Sequence, residues 1–176
     1  KYTKVKAIIQ ELAGIFLIAL ILLYLILSSQ FGSLLLPSII LIEIPIDVGA
    51  SLLFLWIFGG TLNIMSIIGI VVMTGIVIND SRLKIHAINA CYREGLDLMT
   101  AIKIGSRNRL NAILMTTLTT ILALLPVLFM EGMGNELQKP LAITLMGGLL
   151  VGTFISLNLI PLIYYYMLRA DSKKSK

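Results

Sequence analysis

The sequence predicts an all-α fold: a bundle of about five membrane-spanning helices. Three observations lead there. The chain is 58% hydrophobic and only 13% charged, with mean hydropathy +0.99, whereas a soluble domain carries about a quarter charged residues. Five apolar stretches are each long enough, at about 1.5 Å per residue, to cross the roughly 30 Å hydrocarbon layer. Between them lie short polar or glycine-bearing breaks, with one longer basic segment.

After a short basic lead, Lys1 to Lys6, the first span covers about 7–27, with Gln10 and Glu11 near its start. Ser28 to Ser33 form a polar turn, and the second span covers about 34–58. Gly59-Gly60 is an uncharged turn before the third span at 61–81, TLNIMSIIGIVVMTGIVINDS. This third stretch is the most informative, because an unbroken apolar run ends in Asn79 and Asp80. Residues 82–109 are too polar to span and are expected to form a cytoplasmic connecting helix, with Asp97 as N-cap and Gly95 and Gly105 as punctuation. The fourth span covers about 110–130. An acidic turn, Glu131 to Glu136, leads to the fifth at about 140–168, which should tilt or bend at Pro161. Tyr164, Tyr165 and Tyr166 suit an interfacial aromatic belt.

The charge distribution sets the topology. Arg82, Lys84, Arg93, Lys103, Arg107 and Arg109 lie in the connecting segment, and Arg169, Lys173, Lys174 and Lys176 lie in the C-terminal tail. Five crossings put both groups on one side, and the positive-inside rule makes that side cytoplasmic. Such clustering beside membrane helices describes topology and not a nucleic-acid surface. Lys1, Lys4 and Lys6 on the opposite side are explained if a large translocated domain precedes them, since long domains cross regardless of charge. The start at Lys1, with neither an initiator Met nor a signal-peptide pattern, suggests a piece of something longer.

Polar groups inside lipid are costly and mark a buried partner or a function. Asn79 and Asp80 end the third span, and Asp80 could equally cap its helix or pair with Arg82 or Lys84. Glu43 and Asp47, one turn apart on the second span, share a face and need a partner, water near Pro45, or a proton. Thr116, Thr117, Thr119 and Thr120 form a patch on the fourth span. Thr116 and Thr120 share a face, either as plain helix packing or as a polar contact. Gly148 and Gly152 form a small-xxx-small face. Cys91 is the only cysteine and His86 the only histidine, so no disulfide or zinc spacing exists and no metal site is expected. No zincin, phosphate-loop or nucleophile-elbow motif occurs, so neither an enzyme nor a bound cofactor is expected.

Several motifs together resemble the RND (resistance-nodulation-division) superfamily of efflux transporters. Gly75-Ile76-Val77-Ile78-Asn79-Asp80-Ser81 is similar to that family's tenth-helix "GIVVNNA" signature, and the run Arg107 to Thr120 to its eleventh-helix "R-x-R-L-R-P-I-L-M-T-x-L-T-T". Glu136 to Ala142 with Gly147-Gly148 looks like the start of the twelfth, and Phe31-Gly32-Ser33 like the turn after the eighth. The resemblance runs from about Ala7 to Leu168 in the family's order. It implies that residues 1–176 are the C-terminal transmembrane portion, helices eight to twelve, of a proton-driven multidrug or metal exporter in the inner membrane. Such pumps are homotrimers working with a periplasmic adaptor and an outer-membrane channel. By the same resemblance, aspartates on the fourth helix, which this sequence lacks, would address a proton relay through Asn79, with Asp80 beside it, Arg109 and Thr116. Glu43, Asp47 and Thr120 are secondary intramembrane candidates. Departures are Arg82 for an aliphatic residue, His86 where an acid is frequent, and Asn111-Ala112 for arginine-proline. Alternatives are an inert truncated product, which Arg82 and His86 favour, and an RND-like accessory protein in protein or lipid translocation.

Overall fold

The computed structural model describes residues 2–132 and 134–174, so Lys1 of the basic lead, Met133 of the acidic turn and residues 175–176 of the tail lie outside it. Five helices occupy nearly all of that length, and no strand occurs among the described residues. They are α1 (Tyr2–Phe31), α2 (Leu35–Ile57), α3 (Ile64–Arg93), α4 (Leu98–Phe129) and α5 (Asn135–Lys174). All five are long and apolar enough to cross a membrane, as the all-α reading expects. The chain divides into two compact units, residues 1–38 and 39–176.

In the first unit, α1 presents Ile15, Leu17, Ile18, Leu22 and Leu25 on its surface, the composition of a lipid-facing helix. Its end is closed by local hydrogen bonds. The Gly32 N–H donates to the Ser28 carbonyl at 3.0 Å, the Tyr24 hydroxyl donates to the Leu34 carbonyl at 3.2 Å, and Ser33 Oγ accepts from the Leu35 N–H at 3.2 Å.

In the second unit, α3, α4 and α5 pack against one another. Met73 and Val77 of α3 meet Leu145 and Leu149 of α5 at the centre, with Ile76 and Leu124 against them. The start of α3 is set by a capping box. Asn63 Oδ1 accepts from the Ser66 N–H at 2.9 Å, while Ser66 Oγ accepts from the Asn63 N–H at 2.9 Å.

The connecting segment differs from the sequence expectation. Residues 82–93 continue α3 and residues 98–109 begin α4, so the two helices meet at a short turn through Gly95, whose φ is 87°. The reason is a buried stripe, Met73, Val77, Ser81, Lys84 and Ile88, that keeps helical spacing across the supposed break. Arg82 and His86, which gave the segment its polar look, lie off that stripe and are not buried. Gly105 is no terminator either. It sits mid-helix where α4 crosses α3, and a Cβ there would fall 2.6 Å from Ile88 Cα. Asp97 does precede α4 as its N-cap, though its side chain makes no cap hydrogen bond.

Candidate functional site

Three polar residues of α2, Glu43, Asp47 and Ser51, fall at four-residue intervals and therefore on one face. That face is buried: exposure is 0% for Glu43, 1% for Asp47 and 0% for Ser51. The opposing face of α5 has the same spacing, Gly148, Gly152 and Ser156, and is nearly free of side chains. A Cβ on Gly148 would collide with Ser51 Oγ, and one on Gly152 would lie 3.0 Å from Asp47 Oδ1. The small-xxx-small pattern thus serves here as the seat for the polar face of α2.

The third wall is α3. Ser81 Oγ donates to Glu43 Oε2 at 2.5 Å and lies 3.3 Å from Ser156 Oγ. Lys84 is fully buried, and its Nζ donates to the Ser156 carbonyl at 2.6 Å and to Ser156 Oγ at 3.2 Å. Asp80, one turn before Lys84, is also buried. Three helices thus enclose three carboxyls, an ammonium and three hydroxyls. The set is only partly satisfied: Glu43 Oε1, both Asp47 carboxyl oxygens and Ser51 Oγ have no hydrogen-bond partner among the described residues. Charged groups out of water cost several kcal/mol each unless paired and hydrogen-bonded, so such an arrangement persists where it has a use or a further ligand. Among the described residues no three His, Cys, Asp or Glu side chains converge as metal ligands.

The residues that the resemblance placed in a relay are arranged differently. Asn79 and Thr116 are exposed and Arg109 is half-buried; no hydrogen bond joins them. Thr116 Oγ1 donates to its own helix at the Ala112 carbonyl (3.0 Å), and Thr120 Oγ1 to the Thr116 carbonyl (2.8 Å). The threonine that does reach another helix is Thr117, whose hydroxyl lies 2.7 Å from that of Thr153 on α5. Asp80 stands apart from Asn79 by facing inward. Glu43 and Asp47, secondary candidates from the sequence, are at the centre. Ser81, Lys84 and Ser156 were not singled out as site residues. The spacing Met73, Val77, Ser81, Lys84 was the available signal, masked by counting Lys84 as part of a basic flank.

Comparison with known proteins gives a consistent result. Residues 3–168 match the AcrB/AcrD/AcrF family. The chain is similar to the swarming motility protein SwrC of Bacillus subtilis (33% identity over 159 residues, 90% of this chain and 15% of that protein). It is also similar to the cobalt-zinc-cadmium resistance protein CzcA of Cupriavidus metallidurans (29% over 154 residues, 88% of this chain and 14% of that protein). Among solved structures, a crystal form of a heavy metal efflux pump superposes with a TM-score of 0.76 at 29% identity. The overlap covers 90% of this chain and 16% of that one. A second crystal form gives 0.73 at 30% identity, covering 88% and 15%. The chain thus spans about one-sixth or less of the length of these proteins, whose names refer to swarming motility, metal resistance and heavy metal efflux. A family match over nearly the whole chain, five apolar helices and a superposition covering 90% of the chain establish that this multi-pass membrane chain belongs to the AcrB/AcrD/AcrF family of RND transporters.

Proposed function

We propose that these helices are the eighth to twelfth membrane helices of a proton-driven RND exporter. It would sit in the inner membrane with its C-terminus cytoplasmic, assemble as a homotrimer, and work with a periplasmic adaptor and an outer-membrane channel. The observation that carries this reading is the family match from residue 3 to 168, over a chain that spans only 14–16% of the relatives it resembles. Two features support it. Asn79 on α3 and Thr116 on α4, the positions that the resemblance assigns to the response to fourth-helix aspartates, are exposed in this chain. Apolar residues of α4, among them Met115, Leu118 and Leu122, are exposed as well. Both suit a surface that other helices of the transporter cover. The relatives named for cobalt, zinc and cadmium resistance and for heavy metal efflux make a metal cation the first substrate to test, and an amphiphilic drug the second.

The test is the complete transporter in proteoliposomes under an imposed proton gradient, with Zn²⁺ and Co²⁺ indicators in one set and a fluorescent amphiphile in another. Gradient-dependent export that a protonophore abolishes is expected. Export of neither class by the complete protein would refute the transport reading. Export by residues 1–176 alone would refute the reading of the chain as one portion of the transporter.

A further inference from the structure

The hydrogen bonds among the buried groups have a direction. An ammonium has only donors and an ionised carboxylate only acceptors, while each hydroxyl offers one donor and two acceptor lone pairs. The hydroxyl of Ser81 donates to Glu43 Oε2. Its contact with Ser156 therefore requires Ser156 to donate to Ser81. Ser156 Oγ in turn accepts from Lys84 Nζ. The sequence of donors is then Lys84 to Ser156 to Ser81 to Glu43, through 3.2, 3.3 and 2.5 Å. Every member of this series is 2% exposed or less.

We propose that Lys84, Ser156, Ser81 and Glu43 form a proton-transfer wire between α3, α5 and α2, with Asp47 as the next acceptor along α2. A concerted shift moves one proton from Lys84 Nζ to Ser156 Oγ, passes the Ser156 hydroxyl proton to Ser81, and passes the Ser81 proton to Glu43 Oε2. An N–H bond breaks, an O–H bond forms on the carboxyl, both serines end as hydroxyls, and an ion pair becomes a neutral pair. No other reactant is needed.

The independent pointer to a ligand is Asp47. It is 1% exposed, neither of its oxygens has a partner, and it sits one turn from Glu43, whose Oε1 is also unpartnered. The glycine seat on α5 brings no donor to it. The charged groups facing this cluster are Glu43 and Asp47 from α2 and Asp80 and Lys84 from α3. Helix α5 contributes Ser156 and Gly152, and α4 contributes none. Three acids against one base leave an excess of negative charge. A proton satisfies it with a single oxygen, whereas a metal ion would need the convergent ligand set that is missing among the described residues. This wire shares no residue with the positions that resemblance gives to the known relay, and it runs through α2 and α5, which that relay does not use. It rests on the transporter reading for its purpose, but its test does not require transport.

The experiment uses the complete transporter in detergent, without substrate. A pH jump is followed by time-resolved infrared absorption of the protonated-carboxyl C=O stretch and by an external pH dye. The wild type is expected to show a titrating carboxyl band that Asp47→Asn diminishes. Ser81→Ala is expected to slow proton uptake by at least about tenfold, equivalent to about 1.4 kcal/mol in the barrier, with its amplitude retained. Ser156→Ala is a second break in the same wire and should act alike. A merely structural serine would alter amplitude or folding without slowing the transfer. A wild type with no titrating carboxyl band overturns the proposal whatever the variants do, as does unchanged uptake in a folded Ser81→Ala or Ser156→Ala. Displacement of the bound protons by added Na⁺ would assign the site to a metal cation and overturn it too. A transporter that fails to export yet shows the band and the slowed variants would sink the transport reading and leave the wire standing.

Discussion

Gly148→Ala tests whether the glycine seat on α5 is real. The added Cβ would collide with Ser51 Oγ and lie 2.6 Å from both Cε and Cγ of Met73. Carbon atoms in optimal contact stand about 4.0 Å apart, so each Met73 contact is about 1.4 Å short. Met73 and Ser51 are both fully buried and have little room to retreat. Overpacking of that kind costs about 1–3 kcal/mol, and the crowding on two helices at once places this site near the upper end. Against it stands a gain of about 1 kcal/mol from replacing glycine by alanine in a helix. The net expectation is a loss of about 2 kcal/mol, or roughly 4–8 °C in Tm on the soluble-protein scale for this length. The assay is thermal unfolding in detergent, read by reaction of Cys91, the sole cysteine and partly buried, with a thiol-reactive dye. Gly49→Ala is the control: it lies in α2 with nothing within 4 Å of its added Cβ, and should stabilise. Ser51→Ala, which removes an unpartnered hydroxyl, should restore part of the loss in the double variant. A Gly148→Ala protein that melts with or above the wild type would refute the packing argument.

Gly105→Val should destabilise more than Gly148→Ala, because its Cβ would meet the backbone of Ile88, which cannot rotate away; the same melting assay checks it. Thr117→Val should cost about 0.5–1.5 kcal/mol by losing the bond to Thr153, while Thr116→Val should leave stability within about 0.5 kcal/mol. If the relay reading holds, Thr116→Val should nonetheless lower proton-coupled export in the complete transporter, measured as initial efflux rate. Cys91, near the end of α3, should react with a membrane-impermeant maleimide in inside-out vesicles and not in intact cells. The reverse pattern would invert the proposed topology.

Length and apolarity are local properties, so all five helices were readable in the sequence. Where they end was harder. At 82–109 the polar side chains of Arg82, His86 and Lys103 outweighed the buried spacing of Ser81, Lys84, Ile85 and Ile88, and only packing against α4 and α5 decides between them. Glu43 and Asp47 were legible as a pair because helix geometry puts i and i+4 on one face. Their partners were not. Ser81 and Ser156 are separated by 75 residues, and a serine carries no sequence mark of the hydroxyl it will meet. Lys84 misled in a specific way: lysine beside a membrane span usually lies in the headgroup region, and here it points inward to a carbonyl.

The threonines of α4 have a consequence for whatever helix covers them. Thr116, Thr119 and Thr120 each direct their only hydroxyl hydrogen at a carbonyl of the preceding turn. What remains outward is a row of lone pairs, a surface able to receive hydrogen bonds but not to give them. A bare carboxylate brought alongside would find nothing to hold it, whereas the same group carrying a hydrogen would find a ready acceptor. With the hydroxyls turned this way, such a face favours the protonated over the ionised form of any acid packed against it, without moving a backbone atom.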